Sequence, residues 1–187
     1  MPTIVGISGS LRQGSYNSML LRAAAAAAPA GTTIDIASIR DIPLYDGDVE
    51  ASSGVPAPVE ALKARIVSSD GLLIATPEYN NSIPGVVKNA IDWLSRPPAD
   101  IGRVFKGRPV AIMGATPGLG STNLSQAAWL PIIRTLGMLP WFEGRLGVPG
   151  AAKVFDANGT IVDGRIAERL TAFVHGFAAF VAAQRKS

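Results

Sequence analysis

The chain predicts an α/β sandwich, a parallel sheet with helices packed on both faces. Three observations carry that expectation. Apolar runs of strand length at 3–8, 32–37, 72–76, 109–113 and 138–142 alternate with stretches of helical periodicity. The first and third of these runs are apolar at successive positions, as strands covered on both faces must be. The residues after the first, third and fourth runs are small and polar, and ligands of open α/β sheets bind in loops at the carboxyl ends of strands.

The first run, TIVGIS, breaks abruptly into Gly9-Ser10-Leu11-Arg12-Gln13-Gly14-Ser15-Tyr16-Asn17. A helix follows from about 15 to 28 and stops at Pro29-Ala30-Gly31. The run at 32–37 is a short alternating strand. The stretch 39–55, with Pro43, Asp46, Gly47 and Gly54, is too irregular for a regular element and reads as surface loop. Pro56 and Pro58 open the next helix, where a first turn loses no hydrogen bond to proline, and Asp70-Gly71 ends it before the third strand. Pro77-Glu78-Tyr79-Asn80-Asn81-Ser82 is the second polar loop, with Asn81 or Ser82 as helix cap and Pro84 in the first turn of a helix to about 95. Residues 96–107 read as linker before the fourth strand, which ends in Gly114-Ala115-Thr116-Pro117-Gly118-Leu119-Gly120-Ser121. A helix over about 122–136 is kinked or delayed by Pro131. The fifth strand falls at 138–142, Asn158-Gly159 marks a tight turn between 153–155 and 160–162, and a last helix spans about 164–183.

With 187 residues, 48% hydrophobic and 17% charged, the chain reads as one globular domain over 1–187. It has no cysteine, so disulfides, thiolate metal sites and a cysteine nucleophile are excluded. The net charge of +3 is mild and its basic residues are scattered, which argues against a nucleic-acid partner. The segment MLLRAAAAAAPA at 19–30 resembles a signal-peptide core, but it starts late, follows a strand and contains Arg22, so an internal helix is expected. No apolar stretch approaches the roughly 18–20 residues that span a membrane, and the expectation is a cytoplasmic protein without a membrane partner.

If the strand order is 2-1-3-4-5, strands one and three lie side by side at the switch point, and the loops at 9–17, 77–82 and 114–121 converge on one crevice. The first loop joins a strand to a helix start, where unpaired N–H groups and the helix dipole favour an anion. Ser10, Arg12, Ser15 and Asn17 suit phosphate oxygens. The alternative is that Ser15 only caps the helix and Arg12 is a solvated charge, which accounts for one or two of the four. The loop lacks Gly-x-x-x-x-Gly-Lys-Ser/Thr and Gly-x-Gly-x-x-Gly, and no acidic residue closes the next strand to hold a ribose. Gly6-Ile7-Ser8-Gly9-Ser10 misses the hydrolase elbow at its last position, and the single histidine, His175, sits mid-helix among apolar residues, which argues against a serine hydrolase. The second loop, Pro77-Glu78-Tyr79-Asn80, offers a rigid start, an aromatic ring and amide groups that can wrap a planar heterocycle.

SGSLRQGSYN at 8–17 and TPEYNNSIPGVVKNAIDW at 76–93 resemble the two signature stretches of the NAD(P)H-dependent FMN reductase family, which includes bacterial quinone and chromate reductases. IPLYDGDVE at 42–50 extends the likeness, which weakens beyond about residue 140. The resemblance implies a flavodoxin-like three-layer sandwich with a five-stranded parallel sheet in the order 2-1-3-4-5. It implies FMN as cofactor and NADPH or NADH as electron donor. Carried over by position, the FMN phosphate loop falls on Ser10, Leu11, Arg12, Gln13, Gly14, Ser15, Tyr16 and Asn17, and the flavin-ring loop on Pro77, Glu78, Tyr79 and Asn80. A third contact falls on Ala115 and Thr116. Several relatives carry a serine near position 115, so either Thr116 supplies that hydroxyl or backbone contacts alone remain.

The function implied is electron transfer from the nicotinamide through FMN to a quinone, azo or nitro compound, metal oxyanion or free flavin. Hydride transfer needs aligned rings and no protein base, so no side chain is named as catalytic and no metal is expected. A flavodoxin-type electron carrier without NAD(P)H activity is the alternative, set against the chain's positive charge. A domain that has lost FMN is a third reading, opposed by the two intact loops. The resemblance also implies a homodimer or homotetramer, with the helix after PEYN at the subunit contact.

Overall fold

The computed structural model describes residues 1–185. β1 (Thr3–Ser8) leads into α1 (Tyr16–Ala26), β2 (Thr33–Ala37), α2 (Gly47–Ser53), α3 (Ala57–Val67), β3 (Gly71–Ala75) and α4 (Gly85–Leu94). α5 (Ile101–Val104), β4 (Pro109–Ala115), α6 (Asn123–Leu136), β5 (Leu139–Pro140), β6 (Leu146–Val148), α7 (Ala151–Val154) and α8 (Gly164–Gln184) follow.

The strands pair in parallel in the order β2-β1-β3-β4-β5, as expected. Side chains of a strand alternate between faces, so successive apolar residues serve two cores. Ile4, Leu73, Ala111 and Met113 pack with Leu20 and Leu21 of α1 and Leu170 and Phe177 of α8. Val5, Leu72, Ile74 and Val110 pack on the other face with Leu62 of α3, Val87 and Ile91 of α4, and Trp129 of α6. α8 is long and apolar enough to cross a membrane, but Leu170, Phe173, Val174, Phe177 and Val181 are buried against the rest of the chain.

Three stretches differ from the expectation. The presumed loop at 39–55 contains α2, started by the Asp46 carboxylate accepting from the Asp48 N–H and ended at Gly54. Tyr45 Oη and Arg96 Nε both donate to Glu50 Oε2, at 2.9 and 2.7 Å, tying this segment to the end of α4. The bond from Arg96 holds the Glu50 carboxyl below its usual range, and the bond to Glu50 raises the Tyr45 hydroxyl. The presumed linker at 96–107 folds into a 3-10 turn at Pro98–Asp100 and α5. Its anchor is the fully buried Lys63, whose Nζ donates to Glu60 at 2.7 Å, to Asp100 at 2.9 Å and to the Arg96 carbonyl. A buried ammonium is tolerated only when paired in this way. Hydrogen bonds from Arg103 and Lys63 hold Asp100 well below the usual carboxylate range.

The third difference is the fifth strand. β5 is Leu139–Pro140 alone, and after the Trp141 N–H bonds to the Val110 carbonyl the chain leaves the sheet. Trp141 turns inward onto Phe173 and Phe177 of α8, with ring centroids 5.2 and 5.8 Å apart. The chain then returns as β6, opposite Met113–Ala115 of β4. Six strands therefore fill five positions. α6 begins at Asn123 and runs through Pro131 as one element. The turn at Asn158-Gly159 is present between paired Phe155 and Ile161, but Lys153 and Val154 belong to α7.

Candidate functional site

Because β1 and β3 are neighbours, their following loops lie side by side, with the loop after β4 next to them. In the first loop the side chains mostly hold the loop itself. Ser15 caps α1 by accepting from the Ser18 N–H. Ser10 Oγ accepts from the Arg12 N–H at 3.3 Å, and Ser18 Oγ donates to Ser8 Oγ at 2.9 Å. Asn17, only 3% exposed, donates from Nδ2 to the Ala115 carbonyl at 2.8 Å and accepts at Oδ1 from the Ala115 N–H at 2.9 Å. Both ends of its amide are thus used to pin the first loop to the third. Left over are the N–H groups of Gln13, Gly14, Tyr16 and Asn17, which have no protein hydrogen bond among the described residues. Donors at a helix start are what a phosphate requires. Arg12 is exposed, its guanidinium carbon 5.5 Å from the centre of the Tyr16 ring.

The second loop is a tight reversal. Tyr79 and Ser82 exchange both backbone hydrogen bonds, at 3.1 and 3.0 Å, across Asn80 and Asn81, whose φ angles are 49° and 60°. Two successive left-handed residues make a type I′ turn, and asparagine is among the few side chains that tolerate it. Asn81 therefore serves the turn, Pro84 is the N-cap of α4, and the helix starts at Gly85. The turn presents the Tyr79 ring, half exposed, with its hydroxyl 3.4 Å from Ser10 Oγ.

Glu78 points to the third loop. Its Oε2 accepts from the N–H groups of Leu124 at 2.8 Å and Ser125 at 3.1 Å. α6 lacks a side-chain cap of its own, since Thr122 at its N-cap is left-handed and buried. A carboxylate from another loop fills that role and complements the helix dipole. Beneath it, Thr76 Oγ1 lies 2.9 Å from Ser125 Oγ and accepts from Trp129 Nε1 at 3.3 Å. Gln126 Nε2 donates to Thr122 Oγ1 and to the Leu146 carbonyl, at 3.0 and 3.1 Å. This buried polar layer was not anticipated, although Thr76 at the end of a wholly buried strand and Ser125-Gln126 on a buried helix face were visible signals.

Residues after 145 complete the third loop. The Thr116 N–H donates to the Val148 carbonyl, Ala151 N–H to the Thr116 carbonyl, and Gly150 N–H to the Gly118 carbonyl. Thr116 Oγ1 accepts from the Gly118 N–H at 3.2 Å, so this hydroxyl shapes its own turn. Gly114 and Gly147 are needed for close approach: a methyl at Gly114 would run into Thr122 and the Thr76 carbonyl, and one at Gly147 into Ser121. Tyr16 stacks on Phe155, with centroids 6.0 Å apart.

The sequence-predicted residues are thus assembled by adjacent loops, with direct bonds joining Asn17 to Ala115 and bringing Tyr79 near Ser10. Free donors at the α1 start fit a phosphomonoester, and an exposed phenol ring beside the unpaired N–H groups of Glu78 and Asn80 fits the edge and face of a flavin. His175 is exposed on α8, and among the described residues no group of three or more His, Asp or Glu is placed to hold a metal.

Comparison with known proteins agrees with this arrangement. A profile described as NADPH-dependent FMN reductase matches residues 2–153. An NAD(P)H-dependent FMN reductase of Pseudomonas aeruginosa is 44% identical over 88% of this chain and 87% of its own length. A quinone reductase of Escherichia coli is 40% identical over 95% of this chain and 94% of its own. Among solved structures, a flavoenzyme NAD(P)H:(acceptor) oxidoreductase from Paracoccus denitrificans superposes with a TM-score of 0.88 at 33% identity, covering 98% of this chain and 99% of that one. Since the match takes in the strands, the PEYN turn and the loop that Asn17 holds, the chain belongs to the NADPH-dependent FMN reductase family.

Proposed function

We propose that the chain, acting as one FMN-binding unit over 1–187, is an NAD(P)H-dependent oxidoreductase that passes electrons through FMN to a small-molecule acceptor. Quinones are the first acceptor class, with azo and nitro compounds, metal oxyanions and free flavin as others. The observation that carries this reading is the meeting, at the β1/β3 switch, of an unpaired N–H cradle with the Tyr79 turn and the loop at 115–121. FMN, when bound, supplies the redox chemistry. The chain's own residues bind and orient. The N–H groups of Gln13, Gly14, Tyr16 and Asn17, with Arg12, hold the phosphate. Tyr79 flanks the ring plane, and the N–H groups of Glu78 and Asn80 face its polar edge. Ala115 and Thr116 meet the ring by packing, since their backbone N–H groups are taken by Asn17 and Val148. No side chain is assigned as acid or base, because aligned rings are the main requirement.

We also read the protein as a cytoplasmic homodimer or homotetramer without nucleic-acid or membrane partners. The exposed apolar side chains of Leu119, Leu124 and Phe142 support the assembly. Light scattering of the purified protein checks the assembly.

The test of function is to purify the protein with FMN, mix it with NADPH or NADH and a quinone, and follow nicotinamide oxidation. A yellow protein with steady turnover is expected. A yellow protein that leaves the nicotinamide untouched makes it an electron carrier, and a colourless one that FMN does not restore removes the reading.

A further inference from the structure

The outer edge of β4 is covered by two short strands with a gap between them. β5 pairs with Pro109 and Val110, and β6 with Met113, Gly114 and Ala115, which leaves Ala111 and Ile112 without a strand partner on that edge among the described residues. Ile112 is accordingly the one residue of β4 that is not buried. Trp141 crosses toward α8 at this point, and on the α6 side the gap opens into a cavity of about 280 Å³. Ile112, Leu130 and Ile133 wall it, with Trp141 at the sheet edge, and no residue of the loops at 9–17, 77–82 or 114–121 lines it. Two polar side chains border the cavity, and no acid does. Gln126 is 9% exposed, and its Nε2 is spent on Thr122 Oγ1 and the Leu146 carbonyl. Its Oε1 accepts from no group among the described residues and is not enclosed by protein, so it opens on the cavity. Arg145 Nη2 donates to Asn123 Oδ1 at 2.7 Å, and among the described residues Arg145 is in no ion pair.

We propose that this cavity binds a small aromatic carboxylate that also bears a hydroxyl, and that through Gln126 its occupancy steadies the loop after β4 on FMN. The second half rests on the FMN-binding function above. Size sets the first limit. A cavity of about 150 Å³ lined by Leu, Ile and Phe takes benzene, so this one takes a single ring or two fused rings. The indole and aliphatic walls suit a flat apolar body. The Arg145 guanidinium is a planar fork that matches a carboxylate. Gln126 Oε1 needs a donor, because a buried acceptor without one loses its hydrogen bond to water, and a ring hydroxyl supplies it. A fatty acid would fill the walls and meet Arg145 but leave Oε1 unsatisfied. The same amide links the cavity to the cofactor crevice. Donation to Oε1 polarises it and strengthens what Nε2 gives to Thr122 and Leu146. Thr122 is the left-handed residue at which the loop after β4 enters α6, so its hold on Gln126 sets where that loop ends.

The experiment titrates the FMN-loaded full chain calorimetrically with 6-hydroxy-2-naphthoate, and with 2-naphthoate, 2-naphthol and octanoate for comparison. One site per chain is expected, with the hydroxynaphthoate bound about tenfold tighter than any of the three. Arg145→Gln weakens it about tenfold, to the level of 2-naphthol. Ala127→Trp, at an exposed position of α6 on the cavity wall, abolishes binding, and both variants keep their FMN. FMN release on dilution, followed by the recovery of flavin fluorescence, slows about fivefold when the hydroxynaphthoate is saturating. A titration unchanged in Ala127→Trp puts the probe elsewhere, the flavin face included, and overturns the site. Equal affinity for the hydroxynaphthoate and octanoate overturns the ligand class, and FMN release that the probe leaves unaltered overturns the link through Gln126. A chain that takes up no FMN refutes the function proposed above, and the titration run on that chain still decides the cavity.

Discussion

The loops after β1 and β4 border the same crevice but are held by different means. The first is largely self-supporting: Ser8, Ser10, Ser15 and Ser18 bond within ten residues of themselves, leaving backbone donors free at the start of α1. The third is held from outside. Asn17 reaches its first residue, Glu78 caps the helix that follows it, and backbone groups of 148–151 close its far side. The contrast assigns them different tasks. A phosphate site needs donors fixed before the ligand arrives, and a short capped turn provides them locally. A loop against a flavin face must be set relative to other loops, which only distant partners achieve.

Asn17→Ala should break the comparison most severely. It strands the Ala115 N–H and carbonyl in a buried site, at about 2–4 kcal/mol from two lost hydrogen bonds, read by urea unfolding, and it weakens FMN as well. Asn17→Asp sharpens the point, because aspartate accepts from Ala115 N–H but places a carboxylate against its carbonyl. Stability equal to the parent in both would mean that the first and third loops are not coupled.

Glu78→Ala should follow, costing about 1–2 kcal/mol through the lost helix cap. Glu78→Gln should cost less, since an acceptor remains without the charge. FMN affinity measured by fluorescence quenching should fall about tenfold in the alanine variant through displacement of the third loop. An unchanged affinity alongside a lowered stability would confine Glu78 to supporting α6.

Arg12→Ala should separate affinity from stability: FMN binding weakens about tenfold while unfolding is unaffected. An unchanged Kd would return Arg12 to the solvated surface. The smallest effect on the crevice should come from acid. Asp100 ionises more readily folded than unfolded, so it stabilises the protein above its unfolded pKa of about 4. That contribution disappears as pH falls below this value, and Asp100→Asn should flatten the acid limb of a Tm-versus-pH curve. FMN affinity at neutral pH should not move, because Asp100 belongs to the Lys63–Arg103 cluster and not to the loops.

Local pattern was enough for much of the fold. Runs of apolar residues placed β1, β3 and β4, Ser15 marked the start of α1, and the prolines at 56 and 58 opened α3. It was not enough where the supporting contact is distant or the local composition is irregular. The split of the fifth strand follows from Trp141 turning under α8, and α5 from a buried Lys63 more than thirty residues upstream, with a separation of 37 to Asp100. Glu78 reads as a ring contact in the PEYN stretch, yet its carboxylate serves α6, 46 residues on.

The sequence by itself determined the layered α/β architecture and the three polar loops at the ends of its strands, because helix and strand periodicity, caps and turns act over a few residues. The strand order followed only from the resemblance of its two signature stretches. Tertiary structure alone decided which groups those loops leave free. Asn17 is consumed by Ala115 across 98 residues, and the Thr116 N–H by Val148. Such pairings depend on where the sheet sets the ends of its strands, and no local pattern records that.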